Sequence, residues 1–280
     1  MNSADRALLK ERYPAAFQVP LRARLLSLGI LALGAAVAGH ALWRFNFSPA
    51  QFFAGMGKLG EVLLLMLPPD PGKQLWPFVA ALGETLAIAF LGTLGAAVLA
   101  VPMAMLAAKN VVANRILHFT SRRFLDTIRG IDTLIWALIW INVVGLGPFA
   151  GILAIMTADF GAFGKLFSEA IEASDRKPVD GVVSAGGSDL QGVRFGILPQ
   201  VLPVLLSQVL YYFESNTRSA TIIGIVGAGG IGLYLANEIA QAEWQHVGFL
   251  ILMILMSVAA IDTLSARLRF ALIGRRALAA

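Results

Sequence analysis

Of the 280 residues, 58% are hydrophobic and only 14% are charged, with a net charge of +5 and no cysteine. A soluble domain carries about 25% charged residues, so this chain lacks the polar groups to cover a surface in water. Disulfides, thiolate metal sites and cysteine nucleophiles are excluded, and His40, His118 and His246 are too far apart in sequence to suggest a zinc site.

Residues 1–20 carry Asp5, Arg6, Lys10, Glu11 and Arg12, too polar for the core of a signal peptide. The first apolar block, Leu25–Trp43, lacks a small-residue cleavage site leading into a soluble domain, so it reads as a retained crossing. About 20 apolar residues are what a helix needs to cross roughly 30 Å of hydrocarbon. Ala50–Leu67 is amphipathic and stops at Pro68-Pro69-Asp70-Pro71-Gly72, which predicts a helix lying at the interface. Crossing two is predicted over Phe78–Ala107. Crossing three, Phe124–Val144, follows a basic loop with Lys109, Arg115, Arg122 and Arg123, and crossing four runs from Phe149 to about Phe167. The polar stretch Ser168–Arg194 comes next. Ile197–Phe213 and Thr221–Ala236 then read as two pieces of one bent crossing, with Glu214, Asn216 and Arg218 at the break. The last crossing, about Val247–Leu264, is closed by Arg267, Arg269, Arg275 and Arg276.

The fold class is therefore all-α, a polytopic membrane protein with about six transmembrane helices. Four parts are expected: a cytoplasmic segment at 1–24, a first transmembrane helix with an outer interfacial segment at 25–75, a transmembrane domain at 76–270, and a cytoplasmic tail at 271–280. Lysine and arginine are retained on the cytoplasmic side. With both termini inside, most of the 22 basic residues fall in cytoplasmic segments; only Arg44, Lys58 and Lys73 fall outside, with Arg129, Lys165 and Arg218 in or beside crossings. The positive charge thus reports topology and contact with anionic membrane lipid, and no nucleic acid is implied.

Gly227-Ala228-Gly229-Gly230-Ile231-Gly232 matches G-x-G-x-x-G, but no alternation of strands and helices surrounds it, and the position for an acidic ribose ligand falls in the apolar run Ile251–Met256. The glycines instead permit either a broken helix lining a pathway, with Gly227, Gly229 and Gly230 at a gate, or close helix packing.

The polar stretch reads Asp180-Gly181-Val182-Val183-Ser184-Ala185-Gly186, and the chain reaches the next crossing at Leu198-Pro199. An acidic residue, a glycine six later, a short helix and then Leu-Pro resemble the EAA loop of type I ATP-binding-cassette importer permeases. That resemblance implies a coupling loop at 174–199, docking in a groove of a separate ATPase through Asp180, Gly181, Val182, Val183, Ala185, Gly186, Leu198 and Pro199. The chain departs from the family at Asp180-Gly181, where Glu-Ala is usual, and at Gly196, where isoleucine is usual. Within the family the likeness is to phosphonate and phosphite importer permeases. It rests on Gly83-Glu84-Thr85-Leu86, on the run Arg129–Leu138 and on the run Glu214–Gly224, and extends over about Leu82–Arg269. Asp132 stands where proline is common.

The resemblance further implies a homodimer of this permease in a bacterial inner membrane, two ATP-binding-cassette ATPase subunits, and an extracytoplasmic solute-binding protein presenting a phosphorus oxyanion. No cofactor is implied. The chain has no G-x-x-x-x-G-K-[ST] and no set of nucleophile, base and orienting group, so it is not read as an enzyme. The rival reading is an ion-coupled secondary transporter or channel, which commonly shows an internal repeat that this chain lacks.

Charges within crossings cost at least about 2.5–3.5 kcal/mol each, so they face protein or water. Glu214 and Arg218 are spaced to pair on one helix face. At an outer mouth Arg218 would attract an anion; as a structural pair the two would only support the break. Asp126, Arg129 and Asp132 are spaced to form a similar chain. Glu84 and Asp159 read as buried partners between helices.

Overall fold

The computed structural model describes residues 21–112 and 114–277, the side chains of 272–277 excepted; the expected N-terminal segment through residue 20 lies outside them. All regular structure among the described residues is helical. Contacts divide the chain into two units, one ending at Leu63 and one beginning at Leu64. The first contains α1 (Leu21–Arg44) and nearly all of α2 (Pro49–Leu65), apolar helices with no buried residue.

The second unit holds a single 3-10 turn (Gly72–Gln74), α3 (Leu75–Ala107), α4 (Arg115–Arg129), α5 (Thr133–Val144) and α6 (Pro148–Glu172). There follow α7 (Lys177–Ser184), one turn at Asp189–Gln191, a π-helical stretch (Gly192–Ile197), α8 (Leu198–Ile225), α9 (Ile231–Ala240) and α10 (Trp244–Ala277). Among the described residues, five helices are long and apolar enough to cross a membrane, and α4 with α5 makes a sixth span if the bent pair is counted as one.

The centre of this unit is α3, whose buried face is nearly all small, with Ala81, Ala89, Gly92, Ala96, Ala97, Ala100 and Ala104. In lipid, helices gain little from hydrophobic burial against each other and associate by close packing, which small residues permit. A Cβ on Gly92 would come within 2.8 Å of Ile155 of α6. One core cluster joins the second half of α3 to Phe163, Phe167 and Ile171 of α6 and to Ile197, Val201 and Leu205. A second joins Ile88 and Ala89 to α5, α6 and the end of α8, and a third joins Phe78 and Ala81 to Ile231 and Leu250.

Two elements differ from the sequence reading. Crossing three is bent by 86° between α4 and α5. Gly130 ends α4, and the Asp132 carboxylate accepts a 2.8 Å hydrogen bond from the Leu134 N–H to start α5. The chain Asp126–Arg129–Asp132 consequently does not form: Asp132 is a cap, and Asp126 pairs with Lys165 at 2.9 Å and Arg123 at 3.1 Å. The second correction concerns the predicted break at Glu214–Arg218. There α8 is one continuous helix of 28 residues, and the chain breaks only at Val226–Gly230. No proline or glycine stands in Val204–Ile223, and the polar side chains find lateral partners, so nothing interrupts the backbone there.

Candidate functional site

The excursion between α6 and α8 is built to project a short helix. Gln200 clasps its two ends: the amide donates to the carbonyls of Asp175 at 3.0 Å and Gly196 at 2.7 Å, and its oxygen accepts from the Asp175 N–H at 3.1 Å. Pro178 stands in the first turn of α7, where no donor is lost, and Asp180 adds a negative charge at the helix start. The helix ends with Gly186 at φ +86°, with Gly187 N–H bonded to the Val182 carbonyl at 3.0 Å and Gly186 N–H to that of Val183 at 2.9 Å. This is a Schellman ending, for which glycine is favoured at the left-handed position. Ser188 and Gln191 then form a reciprocal capping box.

Asp180, Gly181, Val183, Ala185 and Gly186 face outward on this excursion, as do Leu198 and Pro199 at the start of α8, while Val182 is half-buried. Gly196, the departure from the family pattern, has a packing reason. A Cβ there would come within 2.7 Å of the Val179 side chain and 2.9 Å of its backbone. Gln200, Val179 and the exposed Leu190 and Phe195 were not singled out from sequence. Only the contrast of two exposed large apolar residues with a polar stretch could have signalled the last two.

At the opposite end of α8, Gly227, Gly229 and Gly230 have φ of +101°, +84° and +76°. Gly230 is the cap residue of α9 and has no side chain to satisfy the first donors of that helix. Those donors are met from α3: Glu84 Oε1 accepts from the Gly230 N–H at 2.9 Å, and Thr85 Oγ1 accepts from the Ile231 N–H at 2.7 Å. The Gly147 N–H donates to the Gly227 carbonyl at 3.0 Å, tying in the start of α6. Side chains on Gly230 and Gly232 would strike Thr85 Oγ1 and the Thr221 carbonyl. The glycines thus both break the chain between α8 and α9 and pack closely against their neighbours. A cleft of about 360 Å³ opens beside the turn, lined by Glu84, Leu146, Gly147, Gly229 and Tyr234 among others.

The polar residues of α8 lie elsewhere. Asn216 Nδ2 donates to Thr93 Oγ1 at 2.7 Å and to Asp159 Oδ2 at 2.5 Å, joining α8 to α3 and α6 through three buried side chains. Thr93 and Asp159 sit near the middle of their helices, so this cluster lies at the middle of the bundle. Glu214, one turn or less away, is also buried and bridges Arg269 of α10 at 3.1 Å and Arg218 at 3.6 Å. The Glu214–Arg218 pair thus forms, roughly 12–18 Å along α8 before the glycine turn at Val226. Arg269 as the third member was missed, since nothing in sequence relates residues on α8 and α10. Asp159 and Glu84 are bonded between helices as expected.

Residues 100–276 match the family described as binding-protein-dependent transport system inner membrane component. The chain is 40% identical over 217 residues to HtxC of Stutzerimonas stutzeri, a protein provisionally named as a phosphite transport system permease, covering 78% of this chain and 77% of HtxC. It is 32% identical over 256 residues to the phosphate-import permease protein PhnE of Mycolicibacterium smegmatis (strain ATCC 700084 / mc(2)155), covering 91% of this chain but only 48% of that relative. A chain of the inward-facing MetNI methionine ABC transporter superposes with a TM-score of 0.62 at 21% identity, covering 72% of this chain and 98% of that one.

Proposed function

Since the chain belongs to the inner-membrane components of binding-protein-dependent transport systems, a family of transport permeases and not of enzymes, we propose that it is the membrane subunit of an ATP-driven importer of phosphite, phosphonate or a related phosphorus oxyanion. The observation that carries the substrate class is the 40% identity to HtxC over most of both chains. Permeases of this kind work with an ATPase and a solute-binding protein. Two copies of this chain pair with two ATPase subunits, and both termini face the cytoplasm.

In this reading the excursion at 174–199 docks on the ATPase through Asp180, Gly181, Val182, Val183, Ala185, Gly186, Leu198 and Pro199. Supporting it, α7 is short, carries outward apolar groups, and sits in an excursion whose two ends, at Asp175 and Gly196, are clasped by Gln200 of α8. The glycine turn with Gly227, Gly229 and Gly230 is a gate, and α8 is the rod between them, about 42 Å long at 1.5 Å per residue. Glu214, Asn216 and Arg218 line or brace the pathway at mid-depth.

The test is ATP hydrolysis by the co-purified complex in lipid, with binding protein that is empty or loaded with phosphite, a phosphonate, hypophosphite or phosphate. Stimulation by one loaded form identifies the cargo; failure of any ATPase to co-purify refutes the proposal. Two differently tagged copies recovered in one complex would establish the homodimer.

A further inference from the structure

We infer that the cleft between the end of α3 and the first turns of α4 is a binding site for the phosphate headgroup of an anionic membrane phospholipid. The cleft measures about 410 Å³ and is lined by Lys109, Val112, Arg115, His118 and Phe119. Arg115, His118 and Phe119 share one face of α4 by their spacing, and Lys109 and Val112 form the other wall.

The charge balance points to an anion there. Among the described residues, neither Lys109 nor Arg115 forms an ion pair, whereas Arg122 and Arg123 of the same helix are paired with Glu172 at 2.9 Å and Asp126 at 3.1 Å. The first N–H groups of α4 are already occupied by the Asn114 side chain, at 2.9 Å to Ile116 and 3.3 Å to Leu117, so the site is made by side chains and not by the helix end.

Two further features favour a lipid over a free oxyanion. Ile116 and Phe119 are 78% and 63% exposed beside the cations, apolar surface that an acyl chain would cover and a small anion would not. The strongly amphipathic α4 also has the character of a helix lying at a membrane surface, where basic residues meet anionic headgroups. The cleft lies at the same end of the bundle as the coupling excursion, because the Lys109 N–H bonds Glu172 Oε1 at 2.8 Å and Asn110 bonds the Ile171 carbonyl at 2.7 Å. A bound lipid would therefore anchor the frame against which α7 moves.

The test uses the complete transporter in nanodiscs of phosphatidylcholine with or without phosphatidylglycerol, with retained lipid counted by native mass spectrometry. Wild type is expected to retain phosphatidylglycerol preferentially, and the Lys109→Gln/Arg115→Gln double variant to lose that preference by about fivefold per cation removed. The charge-conserving Lys109→Arg/Arg115→Lys variant should keep it, which separates charge from a folding defect. Equal retention of both lipids by wild type, or an unchanged preference in the double glutamine variant, overturns the site. Displacement of phosphatidylglycerol by inorganic phosphate or phosphite also overturns it, as the mark of a free-oxyanion site.

Discussion

Thr85→Val tests whether α3 holds the glycine turn in place. Thr85 is 1% exposed, and its hydroxyl oxygen accepts the Ile231 N–H at 2.7 Å, at the start of α9. Valine has nearly the same shape and no acceptor, so packing is kept while one buried amide loses its partner. An unsatisfied buried donor costs about 1–3 kcal/mol. Spent against the docked turn, that shifts the ratio of docked to released states by about 5–150-fold. In the complete transporter the amides of Gly230 and Ile231 should exchange with deuterium faster by a factor in that range. ATP hydrolysis without binding protein should rise, and uptake per ATP should fall. Glu84→Gln is the graded comparison: its amide oxygen still accepts from the Gly230 N–H but without charge, and charge-assisted bonds are roughly twice as strong as neutral ones. It should act in the same direction and more weakly. Wild-type exchange at Ile231 together with wild-type uptake in Thr85→Val would refute the reasoning, and would assign the turn to packing of Ala228 and Ile231 alone.

Gly186→Glu places a side chain at φ +86° in the ending of α7, a strain of about 1 kcal/mol or more, and spoils the outward surface of the excursion; co-purified ATPase should remain active but uncoupled from uptake. Gly196→Ile restores the usual family residue, yet its Cβ alone would approach the Val179 backbone to 2.9 Å, so thermal unfolding in detergent should show a loss of stability, not a gain. Arg269→Gln should destabilise the complex more than Arg218→Gln, because Arg269 is nearer to Glu214 and less exposed, at 23% against 49%; an exposed pair contributes about 0–1 kcal/mol and a fully buried one costs about 3–5 kcal/mol to break, and the Arg269 pair falls between them. Arg218→Gln should instead lower substrate flux with assembly intact, which uptake and size-exclusion measurements read separately.

What was legible in the sequence were features that a residue decides alone or with its near neighbours. The blocks at 78–107 and 149–167 became α3 and α6 because apolar length suffices to define a span. Gly186 takes a left-handed conformation and Pro199 stands in the first turn of α8, both tied to local backbone geometry. The misplaced break shows the limit. Glu214, Asn216 and Arg218 read as interruptions because their charge and polarity demand partners, and those partners, Arg269, Asp159 and Thr93, are brought by three other helices that no spacing along α8 reveals. The same holds for Glu84 and Thr85: their polarity was visible, but their target, the uncapped start of α9, exists only once the chain has turned at Gly230. Correcting the break changes the mechanical reading as well. Had α8 been jointed at Glu214, a movement of the coupling excursion would dissipate at mid-depth. In the proposed coupling role, one rod of 28 residues, carrying Gln200 near one end and running into the glycine turn at the other, would pass that movement on, and the bonds resisting it at the turn are those that Glu84 and Thr85 make.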